Sequence, residues 1–84
     1  MSQNIKKATD RFKEAHADFF STENYSVGYG LDPKRSGPNG IIVYAFDDEV
    51  DRQITLVSEA KNALPGNWEG VPVYIEGRFF PYKR

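Results

Sequence analysis

The side chains that could do chemistry are few, and the densest group is the acidic run of Asp47, Asp48, Glu49 and Asp51. Hard cations need several oxygens converging on one point. Consecutive residues at a helix start point in different directions, and no glycine-punctuated calcium loop is present. Carboxylates here instead suit a helix start, where they accept free N–H groups and oppose the helix dipole. We therefore expect no metal site, and nothing indicates a cofactor.

The chain has one histidine, His16. A general base needs a nucleophile or an orienting carboxylate within reach. Glu14 and Asp18 are close in sequence but would face elsewhere on a helix, so we expect His16 to lie at the core boundary. The sequence has no Walker loop, HExxH or GxSxG motif, and the G-x-G of Gly28 and Gly30 has no third glycine. The sequence predicts no catalytic residue and no enzyme.

Two adjacent cations, Lys34 and Arg35, stand in a loop rich in proline and glycine. They could touch phosphate, but the whole chain carries a net charge of −1. Because affinity for nucleic acids comes mainly from an excess of Lys and Arg, we expect a solvated loop and no nucleic-acid partner.

Periodicity predicts two helices and three strands around these residues. Apolar residues at spacings of three and four predict helices over 3–20 and 48–63. Period-two alternation and turn signals predict strands over 25–31, 41–46 and 71–76, with a long loop over 32–39. The segment 78–84 is either a closing edge strand or an extended tail that docks on a partner.

This order predicts one α+β domain over residues 1–84. Each helix has one apolar stripe, so both can cover the same sheet face. The stripes comprise Ile5, Ala8, Phe12, Ala15 and Phe19 in the first helix, and Val50, Ile54, Val57, Ala60 and Leu64 in the second. We expect a ferredoxin-like antiparallel sheet of order 2-1-3, with its reverse face open.

The first predicted strand is large on one side and nearly bare on the other, because small residues occupy alternate positions. Such a strand leaves room for a partner or a ring, or else neighbouring rings fold over the glycines. Trp68 either caps the core or contacts a partner. The candidate partner-binding residues are Ser26, Gly28, Gly30, Tyr44, Phe46, Trp68, Tyr74, Phe79, Phe80 and Tyr82.

Composition narrows the class of protein. The chain has 84 residues and no cysteine, which excludes disulfides and thiolate chemistry. No apolar run approaches the roughly 18–20 residues of a membrane span, and the N-terminus has no signal-peptide core. We expect a cytoplasmic protein that has no membrane partner, and from size alone a bacterial or phage source.

Four short motifs cover about half of the chain: Val27-Gly-Tyr-Gly30, Ile41-Ile-Val-Tyr44, Leu64-Pro65 and Gly70-Val-Pro-Val73. This pattern resembles short α/β segments that precede trypsin-like protease domains in bacterial proteins. Those segments have no catalytic residues to carry over. The layout is also similar to protease pro-domains and small inhibitors, whose extended C-terminal tails lie in the cleft of the enzyme.

The sequence therefore favours a small protein-binding module that uses an open sheet face and a C-terminal tail. A homodimer through that face or through a sheet edge is a further expectation. Two alternatives remain: a protease inhibitor or pro-domain-like module, and a small-ligand binder with a tyrosine-lined groove.

Overall fold

The computed structural model describes residues 4–34 and 36–80. It is an α+β fold of two helices and one four-stranded mixed sheet. The helices are α1 (Ile5–Ala15) and α2 (Val50–Ala63), and a short 3₁₀ helix spans Phe19–Ser21. The strands are β1 (Tyr25–Gly30), β2 (Gly40–Phe46), β3 (Asn67–Trp68) and β4 (Val71–Arg78).

Helix α1 is shorter than the predicted segment 3–20. The side chain of Asn4 accepts the N–H of Lys7 at 3.2 Å and caps the start of the helix. The helix ends at His16, and Phe19 and Phe20 enter the separate 3₁₀ turn. Both rings pack against the core from this turn, so the chain bends where the stripe predicted a continuous rod. Ala15, predicted on the stripe, is exposed.

The sheet has the order β1-β2-β4-β3, so the predicted antiparallel order 2-1-3 is wrong. β1 and β2 form the predicted antiparallel hairpin, but β4 pairs in parallel with β2 instead of β1. The physical reason lies in β2, whose run Gly40–Ala45 is almost wholly buried and therefore suits a central strand. The glycine-rich β1 becomes an edge strand, and the ferredoxin-like order is not confirmed.

Both helices pack on one face of the sheet. The core joins Ala8 and Phe12 of α1 to Ala60 of α2 over Ile41 and Val43 of β2. Phe12, Ile41 and Val43 are each 0% exposed. The reverse face carries the alternate residues of the strands, which is the arrangement predicted from the two amphipathic stripes.

The stripe predicted for α2 is wrong at its N-terminal half. Val50 and Ile54 are 56% and 61% exposed, whereas Ala60 and Leu64 are buried. Gln53 takes the inward position instead and lies against Gly77, where a Cβ would meet its side chain. Gly77 of β4 therefore leaves room for the long polar side chain of Gln53. The apolar periodicity of α2 would place an apolar side chain at this inward position.

β3 is a two-residue strand that the sequence analysis missed. It pairs with the start of β4 across a tight turn in which Glu69 and Gly70 both have positive φ, 53° and 82°. The side chain of Asn67 accepts the N–H of Gly70 at 3.1 Å and closes the turn. A strand was predicted over 71–76, and β4 continues through Gly77 to Arg78, so Gly77 makes no break.

Candidate functional site

The sheet surface opposite the helices, here called the open face, contains most of the predicted partner-binding residues. β1 contributes Ser26, Gly28 and Gly30, and β2 contributes Tyr44 and Phe46. Tyr74, Glu76 and Arg78 of β4 share this face, because side chains alternate along a strand and β2 and β4 pair in register. Tyr44 stands beside Glu76, and Phe46 beside Arg78.

The loop between β1 and β2, as described over residues 31–34 and 36–39, covers one end of the open face. The hydroxyl of Tyr74 donates to the carbonyl of Pro38 at 2.7 Å, and a Cβ on Gly37 would lie 2.9 Å from that hydroxyl. Ile42 is only 4% exposed. The expectation of a wholly uncovered reverse face is therefore corrected, because only the end that carries Tyr44 and Phe46 stays open.

Asp32 organises this loop. It is 6% exposed and accepts the N–H groups of Lys34 and Ser36 at 3.0 and 3.1 Å, and the hydroxyl of Ser36 at 3.1 Å. These donors, the N–H of Lys34 foremost, hold the pKa of Asp32 below its usual range. Burial, and secondarily the charge of Asp32, raises the pKa of Tyr74. Asp32 was missed as a structural residue, although an aspartate before proline signals a turn.

The small residues of β1 leave less free space on the open face than the sequence predicts. A Cβ on Gly28 would lie 4.0 Å from Cε2 of Tyr44, and one on Gly30 would lie 3.9 Å from Cδ1 of Ile42. Both distances are ordinary van der Waals contacts, so neighbouring side chains lean over the glycines. Gly30 has a φ of 156°, which β-carbon-bearing residues rarely adopt. Ser26 is exposed.

An aromatic cluster occupies the end of the open face that the loop leaves free. We call it the aromatic patch and define it as Tyr44, Phe46, Arg78, Phe79 and Phe80. The rings of Phe46 and Phe80 stack at 5.8 Å with 18° between their planes, and Tyr44 lies 6.1 Å from Phe46. The guanidinium of Arg78 sits 5.1 Å from the ring centroid of Tyr44, and Phe79 is 59% exposed.

The chain leaving β4 is held beside β2. The N–H of Asp47 donates to the carbonyl of Arg78 at 3.1 Å, and the N–H of Phe80 donates to Oδ1 of Asp48 at 3.1 Å. Arg78 also pairs with Glu76 at 3.0 Å. Arg78 begins the predicted tail 78–84 but was not among the individual partner-binding residues predicted, and alternation from Tyr74 places it on the same face. Residues 79–80 form no strand, and Tyr82 lies outside the described residues, as does Arg35.

Trp68 is not part of the aromatic patch. Its ring packs edge-on against Phe12 and His16, with centroids 5.5 Å away in both cases, on the helix side of the sheet. Its Nε1 is buried without a hydrogen-bond partner among the described residues. The core-capping alternative for Trp68 is therefore the one that the contacts favour.

The other polar candidates have structural partners. Nδ1 of His16 lies 3.0 Å from the carbonyl of Phe12, and its ring packs on that phenylalanine. Asp47 accepts the N–H of Glu49 at 2.8 Å, and Arg52 pairs with both carboxylates at the start of α2. Across residues 4–34 and 36–80, no group of three or more His, Asp or Glu side chains is placed to hold a metal ion.

Comparison with known proteins returns no relative. No protein-family model matches the chain, and no curated protein or solved structure is similar enough to count as a match. Within the described part of the chain, neither helix is long and apolar enough to cross a membrane. The site must therefore be interpreted from its own residues.

Proposed function

We propose that the chain is a non-enzymatic protein-binding module and that the aromatic patch is its partner-binding surface. The observation that carries the proposal is a hollow that Phe79 shares with the rings of Tyr44 and Phe46 and with the guanidinium of Arg78. Phe79 itself is 59% exposed. Aromatic residues and arginine dominate the energetic centres of protein interfaces. The loop that carries Asp32 and Pro38 covers the other end of the same face, where Pro38 accepts the hydroxyl of Tyr74.

The size of the patch favours a protein over a small ligand. The hollow between Tyr44, Phe46, Arg78 and Phe79 has a volume of about 220 Å³. Small-molecule sites usually enclose about 300–1,000 Å³ and bury most of the ligand. A shallow apolar surface with a paired charge at its margin is typical of a protein interface, whose core is apolar and whose rim is polar.

The contacts of Phe80 bear on the alternative in which the tail enters a protease cleft. Its ring stacks on Phe46 and its N–H is bonded to Asp48, so this first part of the tail lies against its own domain. Entering a cleft as a free extended strand would break both contacts. We therefore propose that 79–80 help to build a surface, and we keep inhibition as the competing hypothesis.

Affinity capture with matched variants tests the proposal. The immobilised chain is compared with Tyr44→Ser and Phe79→Ser in extracts of the source cell. Tyr29→Ser is the control, because its ring is 49% exposed on the opposite, helix-bearing side of β1. We expect a protein that the wild type and the control retain and that both patch variants lose.

The captured protein is then purified and titrated against the same variants by calorimetry. Loss of a central aromatic contact should weaken binding by about tenfold or more. Equal affinity for wild type, Tyr44→Ser and Phe79→Ser would contradict the proposal. Protease inhibition that disappears when residues 79–84 are deleted from a still-folded chain would favour the competing hypothesis instead.

A further inference from the structure

We propose that two copies of this chain pair through the outer edge of β4, antiparallel, with the twofold axis at Gly77. This interface shares Arg78 with the aromatic patch and otherwise uses the outer edge of β4 instead of the open face. β3 covers only the first two residues of β4, because its pairs are Asn67 with Pro72 and Trp68 with Val71. Among the described residues, no strand pairs with the outer edge of β4 beyond that point.

The direction of the backbone groups fixes which residues can pair. The N–H of Val73 donates to the carbonyl of Gly66, on the outer side of β4, whereas the carbonyl of Arg78 accepts from Asp47 on the β2 side. Backbone groups of successive residues alternate between the two edges of a strand. The N–H and C=O groups of Ile75 and Gly77 therefore point outward, as a template for another strand.

Three antiparallel registers place outward groups opposite each other, with the axis at Ile75, Glu76 or Gly77. The register centred on Ile75 would also need the N–H of Val73, which already donates to the carbonyl of Gly66. Charge separates the other two registers. If Glu76 faced Glu76 of the second copy, two like charges would be directly opposed. If Gly77 faces Gly77 of the second copy, Glu76 stands opposite Arg78 of that copy, and the reverse pair forms by symmetry. Opposite charges across strands stabilise a sheet and like charges destabilise it. The register centred on Gly77 is therefore the self-complementary one.

Apolar surface on α2 lies beside the same edge. Leu56 marks the β1 side of the helix, because its carbonyl accepts the hydroxyl of Tyr25 at 2.9 Å. Lys61 marks the other side, since it lines a hollow with Val73 and Ile75 of β4. Val50 and Ile54 precede Lys61 by eleven and seven residues, close to whole turns, so they lie on that side too.

A second copy would cover these exposed residues. In the Gly77 register, the exposed Val50 and Ile54 of the two α2 helices approach each other above the axis. The two sheets then form one continuous sheet with all helices on one side. The two aromatic patches lie on its other side. A second copy is the occupant that these charges and apolar positions fit.

Charge reversal tests the register by sedimentation of the full chain. We expect the wild type to be a dimer at micromolar concentration. Arg78→Glu and Glu76→Arg should each raise the dissociation constant by about tenfold or more, since each puts like charges opposite each other. The double variant Glu76→Arg/Arg78→Glu restores opposite charges and should recover the dimer. Lys7→Glu, a reversal on exposed α1, should leave it unchanged.

Disulfide trapping supplies a second measurement, and the chain has no cysteine of its own. An oxidised mixture of Glu76→Cys and Arg78→Cys proteins should form cross-linked dimers, while either protein alone should form few. Cross-linking by Glu76→Cys alone would overturn the register. A monomeric wild type, or a folded double variant that stays monomeric, would overturn the interface. Partner capture is compared with Tyr44→Ser, whose position on β2 is outside this edge, so either proposal can fail without the other.

Discussion

The side chain of Arg11 on α1 makes a two-point ion pair with Glu69, 58 residues later at the turn between β3 and β4. Nε of Arg11 lies 2.7 Å from Oε2 of Glu69, and Nη2 bonds the other carboxylate oxygen. The bidentate geometry is the strong form of this pair. It ties the first helix to the turn between β3 and β4.

This pair predicts an acid-dependent contribution to stability. The hydrogen bonds from Arg11 lower the pKa of Glu69. A carboxyl group with a depressed folded-state pKa stabilises the fold at neutral pH, and the contribution is lost as pH falls through that pKa. Glu69→Gln should therefore lower the melting temperature slightly at pH 7 but not well below the ordinary glutamate pKa of about 4.3.

Thermal melts of wild type and Glu69→Gln across this pH range make the measurement. Glu14→Gln removes the same charge from an exposed position on α1 and serves as the control. A difference between wild type and Glu69→Gln that is the same at neutral and acid pH would contradict the prediction, because the carboxylate would then not be the source of the stability.

Phe12 should be the most sensitive aromatic position. It is 0% exposed and its ring contacts those of His16, Phe20 and Trp68. Removing a buried phenylalanine side chain loses its transfer free energy and leaves a cavity, so Phe12→Ala should lower the free energy of unfolding by about 3–5 kcal/mol. Leu31→Ala, at a side chain 63% exposed, should change it by about 0.5 kcal/mol or less. Urea denaturation measures the free energy of unfolding of both variants. An equal decrease in Phe12→Ala and Leu31→Ala would contradict the assigned core.

The contacts of Asp32 predict that its replacement changes both the loop and the pKa of Tyr74. Asp32→Ala removes the acceptor that holds the N–H groups of Lys34 and Ser36, so the loop between β1 and β2 should loosen. It also removes the charge that, after burial, raises the pKa of Tyr74. We expect faster amide exchange at Ser36 and a Tyr74 pKa closer to its ordinary value of about 10, both by NMR. Ser36→Ala keeps the carboxylate and should leave the Tyr74 pKa raised; an unchanged Tyr74 pKa in Asp32→Ala would contradict this coupling.

Sequence periodicity predicted the parts of the fold that depend on local pattern. The amphipathic stripes correctly placed both helices on one face, and alternation correctly paired β1 with β2. β4 can pair with either β1 or β2, and no local sequence pattern determines which of the two strands it joins. The near-continuous apolar run Ile41–Val43 was the available signal, since a strand buried on both faces is central.

The sequence predicted candidate residues for the open face but left the register of β2 open. Tyr44 and Phe46 were expected there only if that register allowed it, and the pairing of Tyr44 with Ser26 of β1 places both rings on this face. The cover over Ile42 was missed, because a long loop can fold back only where specific partners such as Asp32 and Tyr74 hold it. Arg78 was not selected individually because the predicted strand stopped at Glu76, two residues before β4 ends.

Two glycines give the sharpest contrast between a packed and an open position. A Cβ on Gly40, at the start of β2, would collide with the carbonyl of Pro72 and lie 2.9 Å from the ring of Tyr74. The carbonyl belongs to the backbone of β4 and cannot move aside without shifting the strand. Gly40→Ala should therefore lower the free energy of unfolding by about 1–3 kcal/mol.

A Cβ on Gly66 would meet nothing within 4 Å, and Gly66→Ala should be neutral or raise the free energy of unfolding by up to about 1 kcal/mol. Chemical denaturation of the two variants decides the matter, since a tolerated Gly40→Ala would contradict the close approach of β2 to β4 on which the parallel pairing depends.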